Sequence, residues 1–315
     1  MNTTARWLRS PGFDNLKNRA ARKSSSIFMG LMRAVLIVGI CYIILSPVLK
    51  IISNSVKDPA DIYNPLVYLV PVNYTFANFN FAITLMKYAP TLVRTLSFTL
   101  GMAALQVLVT SMVGYGFARF KFPGSGVLFA CVIITIVIPV QTYMVPLFLD
   151  LRYLNIFGMQ FNLIGSFASV IVLTATASGL RSGLYIYIFR QFFKGMPKEI
   201  EEAALIDGAG QLRTFFTVML PNATSAIITV VMFALVWQYN DTFYSSLFMT
   251  GKEFLSVKLV GLATAYQVAE NIRDPKNAEL VVNAGIILMI TPIVTIYLGM
   301  QRYFMESIER SGIVG

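Results

Sequence analysis

Six long apolar stretches, at about 29–52, 92–118, 126–149, 161–189, 223–249 and 280–304, restrict what this chain can become. About 20 apolar residues in helical form cross the hydrocarbon core of a bilayer, and lipid leaves no other partner for the backbone polar groups. The expected fold is therefore an all-α polytopic membrane protein with six transmembrane helices. Charge agrees: 13% of the 315 residues are charged, where soluble domains carry roughly a quarter. The first stretch follows a basic tail with Arg6, Arg9, Lys17, Arg19, Arg22 and Lys23, as in a secretory signal. It is too long for a signal core, however, and no small-residue cleavage site follows, so an uncleaved first span is expected.

Turn residues separate the spans. Phe122-Pro123-Gly124-Ser125-Gly126 divides the second from the third, Leu220-Pro221-Asn222 opens the fifth, and Asp274-Pro275-Lys276-Asn277 precedes the sixth. Lys and Arg divide unequally between the two sides. The tail, Arg119, Lys121, Arg190, Lys194, Lys198, Arg213, Arg302 and Arg310 would lie on one side. Lys57, Lys87, Arg94, Arg152, Lys252, Lys258, Arg273 and Lys276 would lie on the other. The positive-inside rule then puts both termini in the cytoplasm of a cell-membrane protein. The division becomes a basic tail (1–28), a transmembrane domain (29–310) and a short cytoplasmic end (311–315). The net charge of +10 flanks apolar spans, which suits lipid headgroups and argues against nucleic acid. With no histidine, and with Cys41 and Cys131 in separate apolar runs, the chain offers no imidazole catalysis, disulfide framework or metal site. The outer segments 53–91 and 250–279 read either as partner-facing loops or as solvated connectors.

One polar island, residues 194–221, interrupts the apolar pattern between the fourth and fifth spans. Pro197 is placed to open a helix, acidic Glu199, Glu201 and Glu202 suit its positive end, and Asp207-Gly208 offers a stop. Ile200, Ala203, Ala204 and Asp207 share a face, and a second helix is expected from Gln211 to Met219, ended by Leu220-Pro221. A helix resting on headgroups wants basic residues. This one is acidic, with small alanines that admit another backbone, so docking to a soluble protein is the better reading.

The order Glu202-Ala203-Ala204, Gly208, Val218, Leu220-Pro221 resembles the Glu-Ala-Ala loop of binding-protein-dependent ABC importer permeases, with Val for the usual Ile. Arg190-Gln-Phe-Phe, Trp237-Gln-Tyr-Asn-Asp241 and Pro139-Val-Gln-Thr-Tyr-Met-Val-Pro146 are similar to the carbohydrate-uptake branch. Gln301-Arg-Tyr-Phe304 and Ser311-Gly-Ile-Val-Gly315 resemble the tail of the shorter, six-span maltose-type subunit. The resemblance implies a type I importer fold with a cytoplasmic coupling helix. Its partners would be a second permease in a heterodimer, two cytoplasmic ATPases and an extracytoplasmic solute-binding protein. It implies a sugar or oligosaccharide as cargo, and no cofactor on this chain, ATP being bound by the partner ATPase. The coupling residues would be Glu201, Glu202, Ala203, Ala204, Asp207, Gly208, Leu220 and Pro221. In agreement, Gly251-Lys252 lacks the rest of a phosphate-binding loop.

Ionisable groups at membrane depth mark function or structural pairing. Arg181 in the fourth span and Asp241, beside Asn240, in the fifth could pair structurally or face a translocation path. Tyr185, Trp237 and Tyr239 could stack on sugar rings, or simply pack. Other polar solutes, and less favourably an ion-driven carrier, remain the alternatives. Gly114, Gly116, Gly165 and Gly179 are expected to admit close helix packing.

Overall fold

The computed structural model describes residues 11–272 and 274–312, with side chains described for 27–272 and 274–302. The start of the basic tail (1–10), Arg273 and the last three residues of the Ser311–Gly315 motif lie outside the described residues.

The first apolar stretch is part of a single helix, α1 (Pro11–Ser55), so the expected boundary near 28 is not a break in structure. The most apolar 18-residue window of its portion Ile27–Ser55 holds no buried residue, while Ser53, Asn54 and Ser55 at the end of the helix are buried. The second stretch is α3 (Tyr88–Arg119) and the sixth is α15 (Pro275–Gly312). Among the described residues these three helices are individually long and apolar enough to cross a membrane. A fourth crossing exists if the bent pair Gln211–Asn222 and Thr224–Asn240 counts as one span.

The third to fifth stretches, expected as continuous spans, are each interrupted. The third is α4 (Ser125–Val137), a 3-10 turn (Val140–Thr142) and α5 (Met144–Arg152). Pro139 explains the break, because its ring drives Ile138 out of the helical region, to ψ 121. The fourth follows a hairpin, β1 (Leu154–Ile156) with β2 (Met159–Phe161), and forms α6 (Ala168–Ala175) and α7 (Ser182–Gly195). Between α6 and α7 the chain unwinds at Thr176–Arg181, where Ala177 and Arg181 adopt positive φ. The fifth is α11 (Thr224–Asn240) followed by α12 (Phe243–Phe248).

The expected loop helix is α8 (Lys198–Ile206), with Pro197 at its N-cap rather than inside it. The second loop helix departs further from expectation. It runs through α9 (Gln211–Thr214), a π-helical turn (Phe215–Met219) and α10 (Leu220–Asn222), so Leu220-Pro221 does not end it. Pro221 has no N–H to give and its ring crowds the preceding turn. The wider π turn just upstream, where the Leu220 N–H reaches Phe215 O, is a local adjustment that lets the helix continue through it. An 80° bend at Ala223 then leads into α11.

At the end bearing α8, α3, α7 and α11 pack around Tyr115, Tyr185, Phe189, Phe193, Phe215 and Met219. Gly114 makes the α3–α7 approach possible, since a Cβ there would lie 2.6 Å from Phe189 Cβ. Gly116, by contrast, faces open space and Gly165 occupies a left-handed turn, so neither is the packing glycine expected of it. At the opposite end the segments read as loops or connectors are folded. There α2 (Ala77–Met86), α13 (Leu255–Val260) and α14 (Leu262–Glu270) bury Met86, Leu255, Leu262 and Tyr266 against α15.

Candidate functional site

Two features at different depths carry chemistry. The first is α8. Its Glu201 is turned inward and buried: the Tyr115 hydroxyl donates to Glu201 Oε1 at 2.6 Å, and Arg119 Nε lies 3.2 Å from Oε2. That Nε is not aligned for a hydrogen bond, so its contact is ionic; Arg119 Nη2 donates instead to Met196 O at 2.8 Å. Arg119 thus ties the end of α3 to the end of α7 and to α8 together. Sequence reading grouped Glu201 with the outward residues and used Arg119 only as a topology charge; Tyr115 escaped notice altogether.

Glu202, Ala203, Asp207 and Gly208 are exposed and Ala204 is half-buried. Beside them Ile206 is 86% and Leu212 67% exposed, an apolar fringe unusual for a helix that meets only water. Gly208 ends α8 with φ +82 in a Schellman arrangement. Gly208 N–H donates to Leu205 O and Ala209 N–H to Ala204 O, both at 3.1 Å. Leu220 is half-buried and Pro221 exposed on the elbow that leads to α11.

The second feature is a cavity of about 720 Å³ where the three interruptions meet. Its walls come from Thr135–Gln141 and Tyr143, from Ala177–Leu184, and from Trp237 with Asn240–Tyr244. Helix α7 starts at the cavity and descends to α8 over 14 residues, about 21 Å at 1.5 Å per residue. Unwound backbone at this depth is tolerated where it lines a cavity, and such breaks are where transport proteins build sites. Gly183 is needed here, because a Cβ would sit 2.3 Å from Thr135 Oγ1 of α4.

Of the six proposed path residues, four gather at this cavity and two do not. Arg181, Trp237, Asn240 and Asp241 line it. The Arg181 guanidinium carbon lies 4.2 Å from the Trp237 ring centroid, a cation–π contact joining α7 to α11. Asp241 is 8% exposed and its carboxylate accepts from Tyr244 N–H at 3.0 Å and from Ser245 N–H and Oγ at 2.8 Å. It thereby caps the first turn of α12 and is not an ion-pair partner of Arg181. Tyr185 is fully buried in the α3–α7–α11 core, and Tyr239 is buried with its hydroxyl donating to Met289 O at 2.8 Å. Both are packing aromatics, and neither offers a ring face to the cavity. Gln141 and Tyr143, between Pro139 and Pro146, are cavity residues that sequence reading passed over as sites.

Apolar helices, three of them interrupted around one partly polar cavity, with a helical loop displayed at one end, describe a membrane-embedded transport component. Residues 106–310 match the family described as binding-protein-dependent transport system inner membrane component, and the chain belongs to that family, as a multi-pass transport permease and not a catalytic enzyme. The melibiose/raffinose/stachyose import permease protein MelC of Bacillus subtilis is 28% identical over 94% of this chain and 100% of its own length. The arabinooligosaccharides transport system permease protein AraQ of Halalkalibacterium halodurans is 26% identical over 93% and 99%. The osmoprotective compounds uptake permease protein GgtD of Synechocystis is 26% identical over 93% and 95%. A bacterial ABC transporter chain, from a crystal structure of a system importing the acidic polysaccharide alginate, superposes with a TM-score of 0.68. At 22% identity over 89% of this chain and 98% of that one, it establishes the type I permease fold.

Proposed function

We propose that this chain is one permease of an ATP-driven importer, passing a sugar or oligosaccharide across the cell membrane by alternating access. The observation that carries the reading is α8: exposed Glu202 and Ala203 beside half-buried Ala204, on a helix fixed to the transmembrane body by the buried Glu201–Tyr115–Arg119 cluster. A surface held so rigidly transmits displacement instead of absorbing it. The partner on that face is a nucleotide-hydrolysing subunit, one of two, and Leu220 and Pro221 sit on the elbow that carries its motion to α11. The broken stretches 126–149 and 161–189 complete six crossings, with α8 and both termini on the cytoplasmic side. A second, different permease covers the apolar surface of α1, and a solute-binding protein delivers cargo to the opposite end. The names of MelC and AraQ support a saccharide cargo; that of GgtD leaves room for a compatible solute in the same machinery.

The test is ATP-driven uptake in proteoliposomes holding the assembled transporter. Glu202→Lys is expected to abolish uptake while the protein still inserts and folds. Uptake at the unaltered rate would remove α8 as the coupling element.

A further inference from the structure

Arg181 is the only cation lining the cavity, and among the described residues no carboxylate lies within ion-pair distance of it. The one acid in the wall, Asp241, has both oxygens engaged by the first turn of α12. Arg181 is exposed to the cavity and held there in a left-handed conformation, φ 60, that a side-chain-bearing residue seldom adopts. Trp237 covers one face of its guanidinium, and a stacked guanidinium keeps its N–H edges free to fork onto two oxygens. Helix α7 begins at the next residue, adding the positive end of its dipole. Ser182, in the same wall, is 2% exposed and its hydroxyl has no hydrogen-bond partner.

Asp241 offsets the formal charge of the wall, but its oxygens are turned to α12, which leaves the N–H edges of Arg181 without an acceptor beside an idle buried hydroxyl. We propose that the solute brings that acceptor: the cavity receives the oxyanion of an acidic solute, the carboxylate of an acidic sugar or the phosphate of a phosphodiester, on Arg181 and Ser182. Asn240, Gln141 and Thr242 surround it with groups suited to hydroxyls. This rests on the importer reading and narrows the class of its cargo.

The assembled transporter, without its solute-binding protein, is placed in nanodiscs and titrated calorimetrically with digalacturonate, glycerophosphocholine and neutral galactobiose. One of the two anionic probes is expected to bind about tenfold or more tightly than galactobiose, and which one does so separates carboxylate from phosphate. Arg181→Gln should weaken the favoured anion far more than galactobiose and so erase that preference, while Arg181→Lys keeps much of it. If galactobiose binds as well as the anions to the unaltered protein, or neither anion binds, the inference fails. It fails equally if Arg181→Gln weakens all three alike, as expected of a residue that only latches α7 to α11. The comparison among probes on the unaltered protein decides the matter even if Arg181→Gln does not assemble. None of these outcomes touches the importer reading, which stands or falls on uptake by Glu202→Lys.

Discussion

Removing the Glu201 carboxylate would strand the Tyr115 hydroxyl and the Arg119 guanidinium, whose side chain is only 6% exposed. Breaking a buried charge pair from one side costs on the order of 3 kcal/mol. Glu201→Ala should therefore lower the thermal unfolding midpoint of the detergent-solubilised protein markedly, and Glu202→Ala should leave it nearly unchanged. Equal shifts would mean that the inward cluster is not what fixes α8. This division between adjacent acids was not legible in the sequence. Helical spacing says which residues share a face, but the inward direction depends on Tyr115 and Arg119, distant in the chain. Arg181 and Trp237, which line the cavity, stand out in the sequence as a charge and an indole inside apolar runs. Tyr185 and Tyr239 look the same in sequence, and only the packing of α3, α7 and α15 shows that they are core.

Local backbone rules found some helix ends, as at Gly208, but failed at Leu220-Pro221, where a π turn carries the helix on. Gly208 closes α8 as expected, with the Schellman geometry supplying the reason for the glycine, while Pro197 stands one position before the helix it was expected to open. A Cβ at Gly208 would meet nothing within 4 Å, so within the chain Gly208→Val costs only left-handed strain, about 1–2 kcal/mol. If the face docks a partner, uptake should fall far more than that strain accounts for, which stability and transport assays on the same preparation would separate. Gly114→Val tests the opposite situation: with Phe189 Cβ at 2.6 Å from the new Cβ, it should destabilise the α3–α7 pair by about 1–3 kcal/mol. The interruptions in the third to fifth stretches were missed because mean hydropathy does not register that Pro139 or Ser178-Gly179 unwinds a turn.

Across the whole molecule, the class and the membrane location were readable in advance, because lipid imposes long apolar runs and few folds satisfy them. The packing of the outer segments was not, since its polar anchors are scattered. Lys57 is buried and donates to Val67 O and Tyr68 O, while Asp61 accepts from Val72 N, Asn73 N and Asn73 Nδ2. Glu253 gathers Lys258 at 2.7 Å with Lys87 and Arg94 at 3.7 Å. The Asn73 backbone N–H holds the Asp61 carboxyl below the usual carboxylate range, and the Lys258 ammonium does the same for Glu253. Carboxyls depressed in the folded state stabilise it above their unfolded values, about 4, and that contribution disappears as pH falls through the folded values. Limited proteolysis within 53–91 and 250–279 should accelerate below about pH 4, with Glu253→Gln accelerating it already at neutral pH. Unchanged cleavage across that range would separate these carboxylates from the stability of the lobe.

The 80° elbow at Ala223 joins a short arm, Gln211–Asn222, to the 17 residues of α11, a limb about 25 Å long whose tip carries Trp237 and Asn240. A crank of this shape magnifies: tipping the short arm by roughly 10° sweeps the tip through about 4 Å over that length. That sweep is comparable to the 4.2 Å between the Arg181 guanidinium and the Trp237 ring, so if the elbow turns as a rigid piece, a slight push on the short arm would be enough to unclasp the two walls of the chamber.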